Sequence, residues 1–181
     1  MIMAEYIYTV SGIKFYSMSP EKDCVDIEDI AHALSMIARA NGHFREFHSV
    51  ASHCIECCTE ALARGYSPKT AIACLLHDSA EAYLSDVTTP VKNKLPDYRN
   101  YEDKLLDVIY EKYVGNLTDK EKELVALVDK DMLYLEFLHY TGIEISEKRE
   151  NVTSPDYEFK PFGEVKDEFL KLFYELSDKI K

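Results

Sequence analysis

Basic residues are scarce in this chain: 21 lysines and arginines stand against 33 acids, a formal charge of −12. That deficit argues against binding along long DNA or RNA backbones, which needs clustered cations to displace counterions. An anionic substrate must then be held locally, by a metal ion and a few placed cations. No run of about 18 apolar residues is present to span a bilayer. The opening MIMAEYIYTVSGIKFY lacks the basic start and long apolar stretch of a signal peptide. These absences predict a cytoplasmic protein with no membrane partner. No Ser-, Gly- or Pro-rich stretch divides the 181 residues, so a single domain over 1–181 with one hydrophobic core is expected. The five cysteines are odd in number and four lie in helix-like segments, which argues against a secreted disulfide framework.

What is present reads as helices behind a short hairpin. Ile7-Tyr8-Thr9-Val10 and Ile13-Lys14-Phe15-Tyr16 predict two strands joined at Ser11-Gly12. From Asp26 as cap, Ile27, Ile30, Leu34 and Ile37 predict a first amphipathic helix ending near Asn41-Gly42. A second helix follows Ser49 and stops at Gly65. Ser67-Pro68 opens a third, which carries His77 and Asp78 inside the apolar run AIACLLHDSAEAYL. Two prolines make a loop of Asp86 to Pro96. Tyr98 to Tyr113 and Thr118 to about His139 read as further helices, the latter opening with the capping box Thr118 to Glu121. Residues 142–163 lack periodicity and predict a long loop. A last helix carries Phe169, Leu172, Phe173, Leu176 and Ile180 on one stripe, free to pack on the core or on another subunit.

An imidazole and a carboxylate within a buried helix need a partner, because an unpaired buried charge costs several kcal/mol. A metal ion is one such partner. His53 on the second helix, His77 and Asp78 on the third, and Asp129 in ELVALVDKDMLYLEF supply two imidazoles and two carboxylates. That mixed set suits Zn, Mn, Fe, Co or Ni better than Ca or a thiolate site. Asp131 is the competing register, but Asp129 aligns with Val125, Met132 and Leu133. His43 or His48 can reach such a site, whereas His139 reads as a helix-end residue. Cys54 and Cys57 have zinc-knuckle spacing without a second ligand pair, and buried thiols are the better account.

His53, His77-Asp78 and Asp129 resemble the H…HD…D pattern of the HD-domain metal-dependent phosphohydrolases. SVASHC is similar to that family's first-His helix, and LLHDSAEAYLSDVTTPVK to the motif and loop of its bacterial 5′-deoxynucleotidases. DIEDIAHALSMIARANGH resembles the start of small phage members, among them dATP triphosphohydrolases. The likeness spans roughly residues 9–135 and departs at Ser52, where relatives usually carry Glu.

The resemblance implies an all-α HD-type bundle whose His53, His77, Asp78 and Asp129 hold a divalent ion (Co, Mn, Mg, Zn, Fe or Ni). Glu81 and Asp86 then become the candidate proton-transfer groups. Lys92 and Arg39 are implied contacts to the nucleotide, Lys92 to its phosphates, and Pro90 lines the base pocket. The implied activity is hydrolysis between the α-phosphorus and the 5′-oxygen of a deoxynucleotide, with dATP releasing deoxynucleoside and triphosphate. A 5′-deoxynucleotidase acting on monophosphates is the alternative. A metal-stabilised nucleotide-binding interaction module is a third reading. The resemblance and the carboxy-terminal stripe together imply a homo-oligomer.

Overall fold

The computed structural model describes residues 5–180, an all-α bundle with a small amino-terminal β-hairpin. Residues 1–4 of the opening stretch lie outside the described residues. Strand β1 (Ile7–Tyr8) pairs antiparallel with β2 (Lys14–Phe15), placing Ile7 opposite Phe15. The strands are shorter than expected because the turn is bound elsewhere. Asp29 accepts from the Ser11 backbone N–H at 2.9 Å and from its hydroxyl at 2.7 Å. Gly12 takes φ 85° to close that turn, a conformation open to glycine at little cost. Phe15 is fully buried and stacks on Tyr83 at 3.9 Å.

Helix α1 (Ile27–Met36) starts at Asp26, whose carboxylate accepts from the N–H groups of Glu28 and Asp29. It ends before the expected Asn41-Gly42. Ala38 bridges Ser49, Arg39 N–H donates to the His48 carbonyl at 2.8 Å, and Val50 N–H donates to Ile37 at 3.0 Å. These long-range bonds satisfy backbone groups that a longer helix would have used internally. Ala40 and Asn41 take φ of 50° and 56° to make the turn.

Helices α2 (Val50–Ala63) and α3 (Pro68–Leu76) begin at Ser49 and Ser67, each hydroxyl accepting an N–H of its first turn. The third helix stops at Leu76. His77 caps it, and residues 77–80 form a tight turn in which Ser79 N–H donates to Leu76 and Glu81 N–H to Asp78. The HD pair therefore sits at a helix end rather than within one, and Glu81 opens the short helix α4 (Glu81–Leu84). The expected loop after it contains α5 (Thr89–Lys92), a single turn that Pro90 tolerates at its start. Next come α6 (Pro96–Tyr113) and α7 (Asp119–Thr141), the latter with the expected Thr118–Glu121 capping box. Residues 142–161 carry no helix or strand, and α8 (Phe162–Ser177) follows.

Buried α3 lies at the centre of the bundle, against α2, α6, α7 and α8. Helix α8 buries Val165, Phe169, Leu170, Phe173 and Leu176 in contact with α1, α2 and α3. At roughly 2 kcal/mol per large apolar side chain, that stripe contributes to the chain's own stability. Leu172 and Ile180, also on the expected stripe, are part-buried against the same core. Among the described residues, no helix is long and apolar enough to cross a membrane.

Candidate metal centre

The bundle brings His53, His77, Asp78 and Asp129 together. Helix α2 supplies His53, the turn after α3 supplies His77 and Asp78, and α7 supplies Asp129. His53 Nε2 lies 3.2 Å from Asp129 Oδ1 and 3.9 Å from Asp78 Oδ2. His77 Nε2 lies 3.3 Å from Asp78 Oδ2 and 3.6 Å from Asp129 Oδ1. Asp131 is elsewhere, paired with Arg64 at 2.9 Å and Arg149 at 3.8 Å. Apolar context alone could not separate the two, since Asp131 is the more buried: its side chain is 6% exposed against 36% for Asp129.

Both imidazoles are oriented from behind. His77 Nδ1 donates to the Cys74 carbonyl at 2.7 Å, and His53 Nδ1 donates to Glu136 Oε1 at 2.5 Å. A carbonyl and an ionised carboxylate only accept, so each Nδ1 carries a proton and each Nε2 faces the centre. This is how metal-binding histidines are commonly held. His77 Nε2 is buried without a well-aligned hydrogen bond, despite its nearness to Asp78. Donor atoms of His53, Cys57 and His77 lie within 4.8 Å of one another, as do those of Cys54, His77 and Asp78. The chain therefore has groups that could hold a metal ion, and the orphaned His77 nitrogen fits one.

Electrostatics support that fit. Burial opposes charge throughout, yet the contacts to His53 and His77 hold Asp129 well below the usual carboxylate range. Glu136 is likewise held low, by His53 and Arg39 against burial. Asp78 among others raises His77 well above an ordinary imidazole, and Glu136 and Asp129 raise His53 despite burial and Arg39. Ionised carboxylates thus favour protons on the imidazoles, and a divalent cation would compete for the same positions. Burial pushes the Cys54 and Cys57 thiols up, so they are neutral. They are the buried thiols expected from sequence, although Cys57 Sγ comes within 3.5 Å of His53 Nε2.

A cavity of about 360 Å³ opens onto Asp78 and Asp129, and every remaining candidate lines it: Arg39, Glu81, Asp86, Pro90 and Lys92. Phe44, Leu133, Phe137 and Ile145 form an apolar wall. Burial, Asp78 and Asp86 push Glu81 up to about 9. Its Oε1 accepts from Lys92 at 3.1 Å, while Oε2 is buried without a partner. Burial also raises Asp86. Arg39 does not end α1, as sequence suggested. It lies in the bend after α1, just before the Ala40–Asn41 turn, pairing with Glu136 at 3.3 Å and Asp78 at 3.4 Å.

Sequence reading missed Glu136, which is fully buried and joins His53, Arg39 and His48. A signal was available: it falls seven residues after Asp129 on the same helix, hence on the same face. His48 reaches this network at 3.3 Å from Glu136, whereas His43 is exposed and His139 stacks on Tyr157.

Fold and site define an all-α bundle whose His, Cys and Asp groups could hold a metal ion. No family model matches the chain. It is similar to the uncharacterized protein YfdR of Escherichia coli strain K12, 42% identical over 108 residues, covering 60% of this chain and 58% of that protein. It is also similar to an uncharacterized protein of Rhodobacter capsulatus, 35% identical over 107 residues, covering 56% of this chain and 54% of that protein. The chain thus spans little more than half the length of these curated relatives.

Proposed function

We propose that this chain is a divalent-metal-dependent phosphohydrolase acting on deoxynucleotides, cleaving the bond between the α-phosphorus and the 5′-oxygen. The observation that carries it is the pairing of His53 and His77, their Nε2 atoms toward Asp78 and Asp129, with Glu81, held high, lining the cavity that those two carboxylates face. His53, His77, Asp78 and Asp129 would hold the ion, whose chemistry is to polarise the phosphate and make a water more acidic. Burial, Asp78 and Asp86 hold the Glu81 carboxyl high, and its Oε2 is unpartnered, which suits it to deliver a proton to the departing 5′-oxygen. Asp86 faces the same cavity and accepts the proton of the attacking water. Lys92 steadies the phosphate, and the apolar wall with Pro90 excludes water beside the base.

Triphosphate release from dATP is the reading carried from sequence. One observation favours the monophosphate alternative: Arg39 and Lys92 are the only cations lining the cavity among the described residues, and both already serve carboxylates. Incubation with each dNTP and dNMP in Mn, Co or Mg, followed by chromatography, tests the proposal. Triphosphate or orthophosphate as product separates the two enzymes. No turnover of any nucleotide would sink both and leave the nucleotide-binding module.

A further inference from the structure

Glu136 also faces a second group of donors. His48 Nε2 lies 3.3 Å from Glu136 Oε1 and 3.7 Å from Glu56 Oε2, and the three residues' donor atoms fall within 4.8 Å of one another. All are deep, with side chains 5%, 0% and 12% exposed for His48, Glu136 and Glu56. Glu56 Oε2 is buried with no hydrogen-bond partner, and so is the Tyr157 hydroxyl, whose ring lies 5.8 Å from that of His48. The neighbouring cations are engaged: Arg39 on Glu136 Oε2 and Asp78, Lys160 on Glu168 at 3.0 Å. Two carboxylates buried together repel unless a cation or a proton comes between them.

We propose that His48, Glu56 and Glu136 form a second divalent-cation site. One imidazole nitrogen and two carboxylate oxygens suit an ion of the Mn, Co or Zn class. Metal bonds of about 2.1 Å place neighbouring donors roughly 3.0–3.4 Å apart. The His48–Glu136 separation already fits, Glu56 needs to close on His48 by only a few tenths of an ångström, and its distance to the Glu136 donor is at most 4.8 Å. The Tyr140 hydroxyl lies 3.1 Å from His48 Nδ1 and holds the ring with Nε2 toward the carboxylates. A cavity of about 170 Å³, lined by His48, Glu56, Ser154 and Asp156, gives an ion and its waters a way in. Because Glu136 Oε1 also orients His53, an ion here would sit one carboxylate away from the first centre.

The site requires no hydrolysis and is tested by counting ions. Equilibrium dialysis of the chain against Mn, with metal analysis, is expected to reach two ions per chain. His77→Ala and Glu56→Gln should each retain one, and circular dichroism checks that each variant is folded. Saturation at one ion that Glu56→Gln leaves in place overturns this site while sparing the first. One ion lost in Glu56→Gln but kept in His77→Ala supports this site and removes the first. If Glu56→Gln does not fold, the electron paramagnetic resonance of Mn-saturated wild-type chain decides. Dipolar broadening from two nearby ions is expected, and an isolated-ion spectrum at saturation overturns the proposal.

Discussion

Two buried polar clusters join α2 to α7, and they are finished in opposite ways. Around Glu60, both carboxylates and Arg64 find partners, and Arg149 Nε beside Asp131 is the one buried atom in that set without a hydrogen bond among the described residues. Glu60 accepts from Arg64 at 2.7 Å, from the N–H groups of Val152 and Thr153 at 2.8 Å each, and from the Thr153 hydroxyl. Arg64 completes the set with Asp131 and the Glu150 carbonyl. Two turns back on α2, around His53, the set is left open. Acids outnumber cations there, His77 Nε2 and Glu81 Oε2 lack hydrogen bonds, and Glu81 is held high. Buried polar groups left unsatisfied cost about 1–3 kcal/mol each. The closed cluster ties the 142–161 segment to α2, and the open one holds buried groups that could hold a metal ion.

Mutations should separate the two. The largest effect belongs to the open cluster: Asp78→Ala is expected to reduce hydrolysis by at least roughly a thousandfold, the value of several kcal/mol of charge stabilisation. Unchanged turnover in a metal-replete assay would remove the assignment. Glu81→Gln should lower kcat by roughly 10²–10⁴-fold, as loss of a proton donor does, with Mn affinity little changed. Its pH profile carries a sign. An acid must be protonated to act, so wild-type activity should fall as pH rises toward about 9, earlier if a bound cation lowers Glu81, and this limb should vanish in the variant.

In the closed cluster, Glu60→Gln removes the charge facing Arg64 and should cost about 3 kcal/mol, read by urea denaturation, without changing metal affinity. A change in affinity equal to that of the open-site variants would erase the distinction between the clusters. The smallest shift is expected for Glu136→Gln, which frees His53 Nδ1 from its carboxylate. Mn affinity at the first centre should weaken about 10–100-fold, measured by competition dialysis. Equal affinity in wild type and variant would show that Glu136 does not position His53.

Much of this was legible in the sequence because it is local. Asp26, Ser49 and Ser67 cap helices through bonds reaching two or three residues, and Thr118 with Glu121 closes a box within one turn. The four candidate ligands stand out in the sequence as a pattern of residue types. Other features depended on contacts far along the chain. The bend at residues 37–49 exists because Ala38 finds Ser49 and Arg39 finds His48. Asp131 outdoes Asp129 in burial only because Arg64 and Arg149 come to meet it. Glu136 becomes an orienting group only when α7 lies beside His53. Sequence by itself thus determined the long helices and most of their caps and named the candidate donors, since propensity and capping act over a few residues. Tertiary structure alone decided which donors converge, which nitrogen of each imidazole faces the centre, and which charges go unanswered. Those depend on distances between side chains separated by dozens of residues, and only packing sets them.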